Sequence, residues 1–415
     1  MAGDEYNHII RAVHPHVVAT LVRVFGDVDL AEDMAQEAII KALTHWPDSG
    51  TPQSPAAWLV TTAKHHAIDL HRKFRYEQIS TNNILESVDA DQPPDVISRM
   101  GGFEDDLLKL IFTCCHPDLP ADSQVALTLK VVLGFSVNEI ARSFLASPAA
   151  MERRLTRAKQ LIRDRKVPYA IPGSQHLAER LEGVMDVIYL IFNRGYWAPE
   201  SPQLYRAEVC DNAIRLARML TRLFHYHPEI RSLLALMLLT SARSGGRVDA
   251  NSALVSLEDQ DHDHWNWSRI HEGRAILASI YATPHPPGNY QLQATISALH
   301  CVASDTPTDW PQIVELYLRL EELNASPVFT INRAVAMGYC SQEEAALEVL
   351  DSIWETHELS EYQPYFLCRA FLLERLGRPR RALESWQMAL KLSSSSIERQ
   401  KITAEINHLK DQFAS

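Results

Sequence analysis

The sequence predicts an all-α protein of several domains, and three observations carry that reading. Apolar residues recur at helical spacing along most of the chain. Ser-Pro pairs stand where helices would start, and runs of β-branched residues are few. At 415 residues the chain is too long for one hydrophobic core. No apolar run approaches bilayer length, and the N-terminal MAGDEYNHII lacks a signal-peptide core, so a cytoplasmic protein without membrane segments is expected. The six cysteines show no repeated spacing and are read as reduced thiols.

Residues 1 to about 25 form the first expected helix, with Ile9, Ile10, Val13, Val17, Leu21 and Val24 on one side. The second starts with Asp29 as cap and Glu32 at its third position. Leu30, Met34, Ala38, Ala42 and Trp46 form its buried stripe. Asp33, Gln36, Glu37 and Ile40 share another face, either plainly solvated or a docking surface for a partner. A loop is expected over Asp48–Ser54. Ser54-Pro55 then opens a third helix with Leu59, Ala63, Ala67, Leu70 and Phe74 inside and Lys64, His65, His71, Arg72, Lys73 and Arg75 outside. Such a basic helix beside Trp46 and Trp58 suits unpaired nucleic acid, because aromatic rings stack on bases; burial of both tryptophans in the core is the alternative.

Glu77–Asp106 holds eight Asp/Glu against one Arg and reads as an acidic linker. Lys130–Lys166 reverses the balance, with nine Lys/Arg against three Asp/Glu. A net charge of −12 therefore hides a basic patch, which is an electrostatic footprint for nucleic acid. Within that patch Val125, Leu129, Val132 and Leu133 line one helix, and Gly134-Phe135 ends it. Ser136 and Glu139 have capping-box spacing, and Val137, Ile140, Ala141, Phe144 and Leu145 form the next stripe. Ser147-Pro148 starts a third helix that buries Met151, Leu155, Ala158 and Ile162 and exposes Arg153, Arg154, Arg157, Lys159 and Arg163. That is a helix-turn-helix pattern with a basic recognition helix.

From about 175 to 412 the period is helical almost throughout. Pro364–Ser394 has Gly377, Ala382, Trp386 and Ala389 where a tetratricopeptide repeat places its turn glycine, small residues and aromatic. Ala334, Met337, Ala346, Leu350 and Ile353 align about one repeat upstream. Stacked pairs of this kind offer a surface to a protein or peptide partner. The acidic-histidine run around Asp259 to His264 fails as a calcium loop, because His264 stands where Gly is needed and Ile270 where the bidentate Glu belongs. No P-loop, dinucleotide fingerprint, zincin motif or nucleophile elbow is present. Catalytic residues, metal ligands and cofactors are all expected to be none, and the chain is not expected to be an enzyme.

DLAEDMAQEAIIKALTHWP and PAAWLVTTAKHHAIDLHRK resemble region 2 of the extracytoplasmic-function sigma factors, and the helix-turn-helix ending MERRLTRAKQLIR resembles their region 4. FTCCHPDL, VIYLIFNRGY, CDNAIRLARML, SLEDQD, YQLQATISALH and SPVFTINRAVA are similar to the subgroup with a long C-terminal helical extension. The resemblance implies four parts: region 2 over 1–76, the linker over 77–106, region 4 over 107–168, and a tetratricopeptide-like extension over 175–415. It implies core RNA polymerase (its β′ and β subunits) and promoter DNA as partners. Asp29, Asp33, Gln36 and Glu37 would dock on the β′ coiled coil. Lys64, His65, Arg72 and Lys73 would capture the minus-ten strand. The minus-thirty-five element would be read by the helix segment with Met151, Glu152, Arg153, Arg154, Arg157 and Lys159. The extension would control activity. A stand-alone helix-turn-helix regulator with a repeat-type sensor is the alternative, although region 2 would then have no use.

Overall fold

The computed structural model describes residues 2–77, 100–144, 146–196, 206–247, 255, 259–303, 306–354, 359–393 and 395–414. Among them there is no strand. The chain divides into two compact units, Met1–Ile191 and Phe192–Ser415, each described by itself.

The first unit opens with α1 (Ala2–Phe25), α2 (Val28–Ser49) and α3 (Pro55–Glu77), a three-helix bundle in which each helix packs on the other two. Asp27, not Asp29, caps α2: its backbone is extended and its Oδ1 accepts from Leu30 N at 2.9 Å. With the start moved back two residues, Ala31, Met34, Ala35, Ala38, Ala42 and Trp46 turn inward, and Leu30 is left 40% exposed instead of buried. Small residues dominate that stripe, so α1, α2 and α3 approach closely. Trp46 is fully buried, edge-on to Trp58 at 5.6 Å, and Trp58 itself is half-buried and stacked on His45. α2 runs on through Pro47 to Ser49, which shortens the expected loop to residues 50–54.

α4 (Met100–Cys114) begins inside the stretch read as acidic linker. Its Leu107, Leu110, Ile111 and Phe112 are buried, and it packs on α1. α5 (Ala121–Leu127) continues into a π-helical turn over Thr128–Val132 that packs on both α1 and α4. Gly134 follows with φ of +73°, a left-handed conformation that a side chain disfavours, and the ring of His14 lies 3.0 Å from where its Cβ would stand. α6 (Val137–Ser143) and α7 (Pro148–Asp164) complete the helix-turn-helix. The capping box forms: Ser136 N donates to Glu139 Oε2 at 2.7 Å, and Glu139 N donates to Ser136 Oγ at 3.3 Å. Ser147 Oγ accepts from Ala150 N at 3.2 Å, with Pro148 in the first turn as expected. Leu145 lies outside the described residues. α8 (Ser174–Tyr196) starts in this unit, where Arg180 donates to the Phe112 carbonyl at 2.6 Å.

In the second unit α9 (Ala207–Leu223), α10 (Pro228–Ala242), α11 (Trp267–Tyr281) and α12 (Asn289–Leu299) pack around α10, which is apolar on nearly every side. The helices α13 (Trp310–Leu323), α14 (Pro327–Tyr339), α15 (Glu343–Trp354), α16 (Gln363–Arg375), α17 (Pro379–Leu392) and α18 (Ser396–Ala414) follow as packed pairs. α14/α15 and α16/α17 are the two repeat units read from the sequence. Ala334, Ala346, Leu350, Ala382 and Ala389 are all fully buried, because only small or well-fitted side chains let the paired helices touch. Gly377 takes the positive φ of the α16–α17 turn, and Ser341 takes it in the upstream unit. Trp386 Nε1 donates to Glu374. Ser394, expected in the place of a closing proline, lies outside the described residues.

Candidate functional site

The expected site residues fall on three surfaces of the first unit. On α2, Asp33 and Gln36 are exposed and Glu37 is half-buried. The same face carries Leu30, Ile40 at 55% exposure and Leu43. Apolar side chains spaced three to four residues apart on a solvated helix cost free energy unless a partner covers them. Two carboxylates therefore sit among three apolar residues on one solvated helix face.

Asp29 does not share that free face. Its carboxylate contacts Lys159 Nζ at 2.6 Å and Arg163, both from α7. Burial pushes the Asp29 carboxyl up, but Lys159 and Arg163 outweigh it and hold it below its ordinary range. Glu32, only 5% exposed, takes Lys159 Nζ at 2.6 Å and Lys130 at 3.8 Å. Burial works against the charge on Lys159, and Glu32 and Asp29 more than compensate, raising its pKa. Neither Glu32 nor Lys130 was singled out as a site residue. Nothing local marks them, because their partners stand about a hundred residues away along the chain.

On α3, Lys64 is half-buried and His65 exposed. Burial, and then the nearby Arg23 charge, lower the Lys64 pKa. The side chains of Arg72 and Lys73 lie outside the described residues. Arg23 reaches the other way, donating from Nε to Asp106 Oδ2 at 2.7 Å. Asp106 closes the stretch read as an acidic linker, yet it is buried, with Lys109 at 3.5 Å as a second partner. Tyr169 Oη donates to the carbonyls of Ala19 at 2.8 Å and Asp106 at 2.7 Å, tying α1 to α4.

On α7, Glu152, Arg153 and Arg157 are exposed along one side. With Leu119, Pro120, Asp122 and Ser123, Arg153 and Arg157 border an open cleft of about 640 Å³. Met151 is fully buried and belongs to the helix-turn-helix core, so it reads nothing, contrary to its expected place among the minus-thirty-five residues. Helical periodicity explains this: Met151, Leu155, Ala158 and Ile162 are the inward stripe itself. Arg154 is half-buried, with its guanidinium over the Phe144 ring at 5.2 Å and Asp122 at 3.5 Å. Arg153 and Arg157 are the exposed arginines among the residues expected at the minus-thirty-five element.

Cys114 and Cys115 are buried; burial drives the Cys115 thiol up to about 12, despite a contact with Thr128 Oγ1. Around Asp261 the acidic-histidine run forms a short 3-10 turn in which Asp261 accepts from Asp263 N, and no group able to hold a metal occurs among the described residues. No described helix is long and apolar enough to cross a membrane.

Comparison with known proteins places matches on these surfaces. The sigma-70 region 2 family model matches residues 9–75, and the sigma-70 region 4 model matches residues 109–162. A family of unknown function, DUF6596, matches residues 180–280. An uncharacterised protein of Rhizobium meliloti is 42% identical over 96% of this chain and 94% of its own length. An ECF RNA polymerase sigma factor, SigL of Mycobacterium tuberculosis, is 25% identical over 37% of this chain and 87% of its own length. The RNA polymerase sigma factor YlaC of Bacillus subtilis is 29% identical over 23% of this chain and 57% of its own length. No solved structure matches.

Proposed function

Since this chain belongs to the sigma-70 family of RNA polymerase sigma factors, in a form with a C-terminal helical extension, we propose how its parts divide the work. The α2 face of Asp33, Gln36 and Glu37, with Leu30, Ile40 and Leu43 between and beside them, docks on core polymerase. Lys64 and His65 of α3, with Arg72 and Lys73 further along, hold the opened minus-ten strand. Arg153 and Arg157, with Glu152 beside them, read the minus-thirty-five duplex. The protein acts without a catalytic centre of its own, and its extension controls its activity through a protein or peptide partner.

The observation that carries this reading is the exposed stripe on α2. In a free-standing DNA-binding regulator, two carboxylates and three solvated apolar residues on one helix face have no partner to meet. Arg153 and Arg157 supply the complementary half, since cationic side chains on a solvated recognition helix gain affinity by releasing counterions from DNA.

In vitro transcription tests the assignment. Purified full-length protein, bacterial core polymerase and the gene's own upstream region are combined, with a pre-opened bubble template alongside. Transcripts from the duplex template are expected. Asp33→Lys with Glu37→Lys should abolish core binding in a pull-down while the protein keeps its helical fold by circular dichroism; Asp33 is exposed, and exposed substitutions usually change stability by less than ~0.5 kcal/mol. Unchanged core binding would remove α2 as the docking face.

A further inference from the structure

Where the two repeat units meet, an open cleft of about 520 Å³ is lined by α15, α16 and α17. Asp351 and Trp354 line it from α15, and Glu384 and Met388 line it from α17. Residues three or four apart share a helix face, so each wall offers one carboxylate and one apolar side chain. All four are exposed, Trp354 at 42% and Met388 at 36%. The floor comes from α16. Its Tyr365 and Phe366 are buried and stand edge-on at 5.3 Å, with their ring centres 4.9 Å and 6.0 Å from that of Trp354.

Charge decides what such a cleft accepts. Glu343 and Glu344, in the first turn of α15, are held by Arg375 and Arg378. Asp351, in the last turn of the same helix, and Glu384 have no ion pair among the described residues. α15 has no basic residue in its last turn, so Asp351 stands where the helix dipole already places negative charge. A cation arriving there relieves both. Arg369, the one cation among the lining residues, is turned to the wall, where its Nη1 donates to the Oγ of buried Ser385 at 3.2 Å.

We propose that this cleft binds a basic segment of a protein partner. It takes an arginine or lysine side chain between the Trp354 face and the Asp351 and Glu384 carboxylates, with a neighbouring apolar side chain against Met388 and Phe366. This rests on the reading that the extension works through a protein or peptide partner, and it adds the place and the chemistry. An indole face attracts a cation within about 6 Å of its ring centre. Arginine fits best, because a planar guanidinium stacks on the ring while its fork meets a carboxylate. The flexible thioether of Met388 adapts to apolar side chains of different shape. An acidic segment would instead meet two carboxylates at the walls.

The test uses a random peptide library displayed on phage and selected on immobilised full-length protein. Enriched peptides are synthesised with a fluorescein label and titrated by anisotropy. Arg or Lys beside Leu, Ile, Met or Phe should be enriched. Trp354→Ala should weaken these peptides about tenfold, the size of one cation–aromatic contact. Asp351→Lys with Glu384→Lys should lose them and select acidic peptides instead. All three positions are exposed, and a variant that captures the opposite charge is a folded one. Acidic peptides selected by the wild type would overturn the proposal, as would no enrichment at all. Basic peptides bound equally by wild type and both variants would overturn it too, while leaving a peptide-binding extension in place. Basic peptides that need Trp354 and Asp351, yet leave promoter transcription unchanged at saturation, would support the site and refute control through the extension.

Discussion

Replacing Gly134 by Ala probes the join between the helix-turn-helix and the first bundle. The position has φ of +73°, and the left-handed conformation costs an L-residue about 1–2 kcal/mol, partly offset by ~0.4–1 kcal/mol from the stiffer unfolded chain. The new methyl would also stand 3.0 Å from Cε1 and Nδ1 of His14, inside the ~3.5–4.0 Å at which carbon atoms attract. Overpacking of that kind adds roughly 1–3 kcal/mol. Gly26 is the internal control, with φ of +69° and nothing within 4 Å of its Cβ position. Gly26→Ala should therefore cost about 1 kcal/mol and Gly134→Ala about 2–4 kcal/mol, read as a shift in the urea midpoint of the first unit. The cycle with His14→Ala should return a coupling near the overpacking share, about 1–3 kcal/mol. Equal costs at the two glycines, or zero coupling to His14, would refute the claim that this turn rests on α1.

Three further outcomes are expected. Met151→Ala should lower stability by about 2–5 kcal/mol, as a fully buried methionine does, and any loss of DNA binding should follow the unfolded fraction in a thermal melt. Arg153→Glu with Arg157→Glu should abolish binding to a duplex minus-thirty-five element while sparing core binding; neutral replacement of either one should reduce the salt slope of binding by about one, measured by fluorescence anisotropy against salt. The Cys115 thiol has its pKa raised by burial from 9.0 to about 12, so the neutral form is favoured in the fold. Its contribution to stability is full below pH 9 and is lost as pH rises toward 12; Cys115→Ala should flatten alkaline unfolding across that window, followed by circular dichroism.

Much of the fold and part of the site could be read directly from the chain, because those features depend on neighbours in sequence. The Ser136–Glu139 capping box, the Ser147-Pro148 start and the inward stripe of α7 each involve residues within about two turns, where helix geometry dictates who meets whom. The exposure of Asp33 and Gln36 follows from the same periodicity. The misreadings are equally physical. Asp29 was an acceptable cap by type, but Asp27 had the extended backbone that capping needs, and two residues of shift moved Leu30 to the surface. Met151 stood in the recognition segment and on the buried stripe, and packing decided between them.

By itself the sequence determined the helices, the Ser136 and Ser147 caps, the order of region 2, acidic stretch and region 4, and the repeat pairs that follow. Only the tertiary structure decided what Asp29, Glu32, Asp106 and Lys159 do. Composition marks such groups as charged and therefore solvated. A carboxylate becomes a buried partner only when packing brings a cation to it, and Lys159 meets Glu32 across 127 residues of chain because the apolar faces of α1 and α4 bring those parts together.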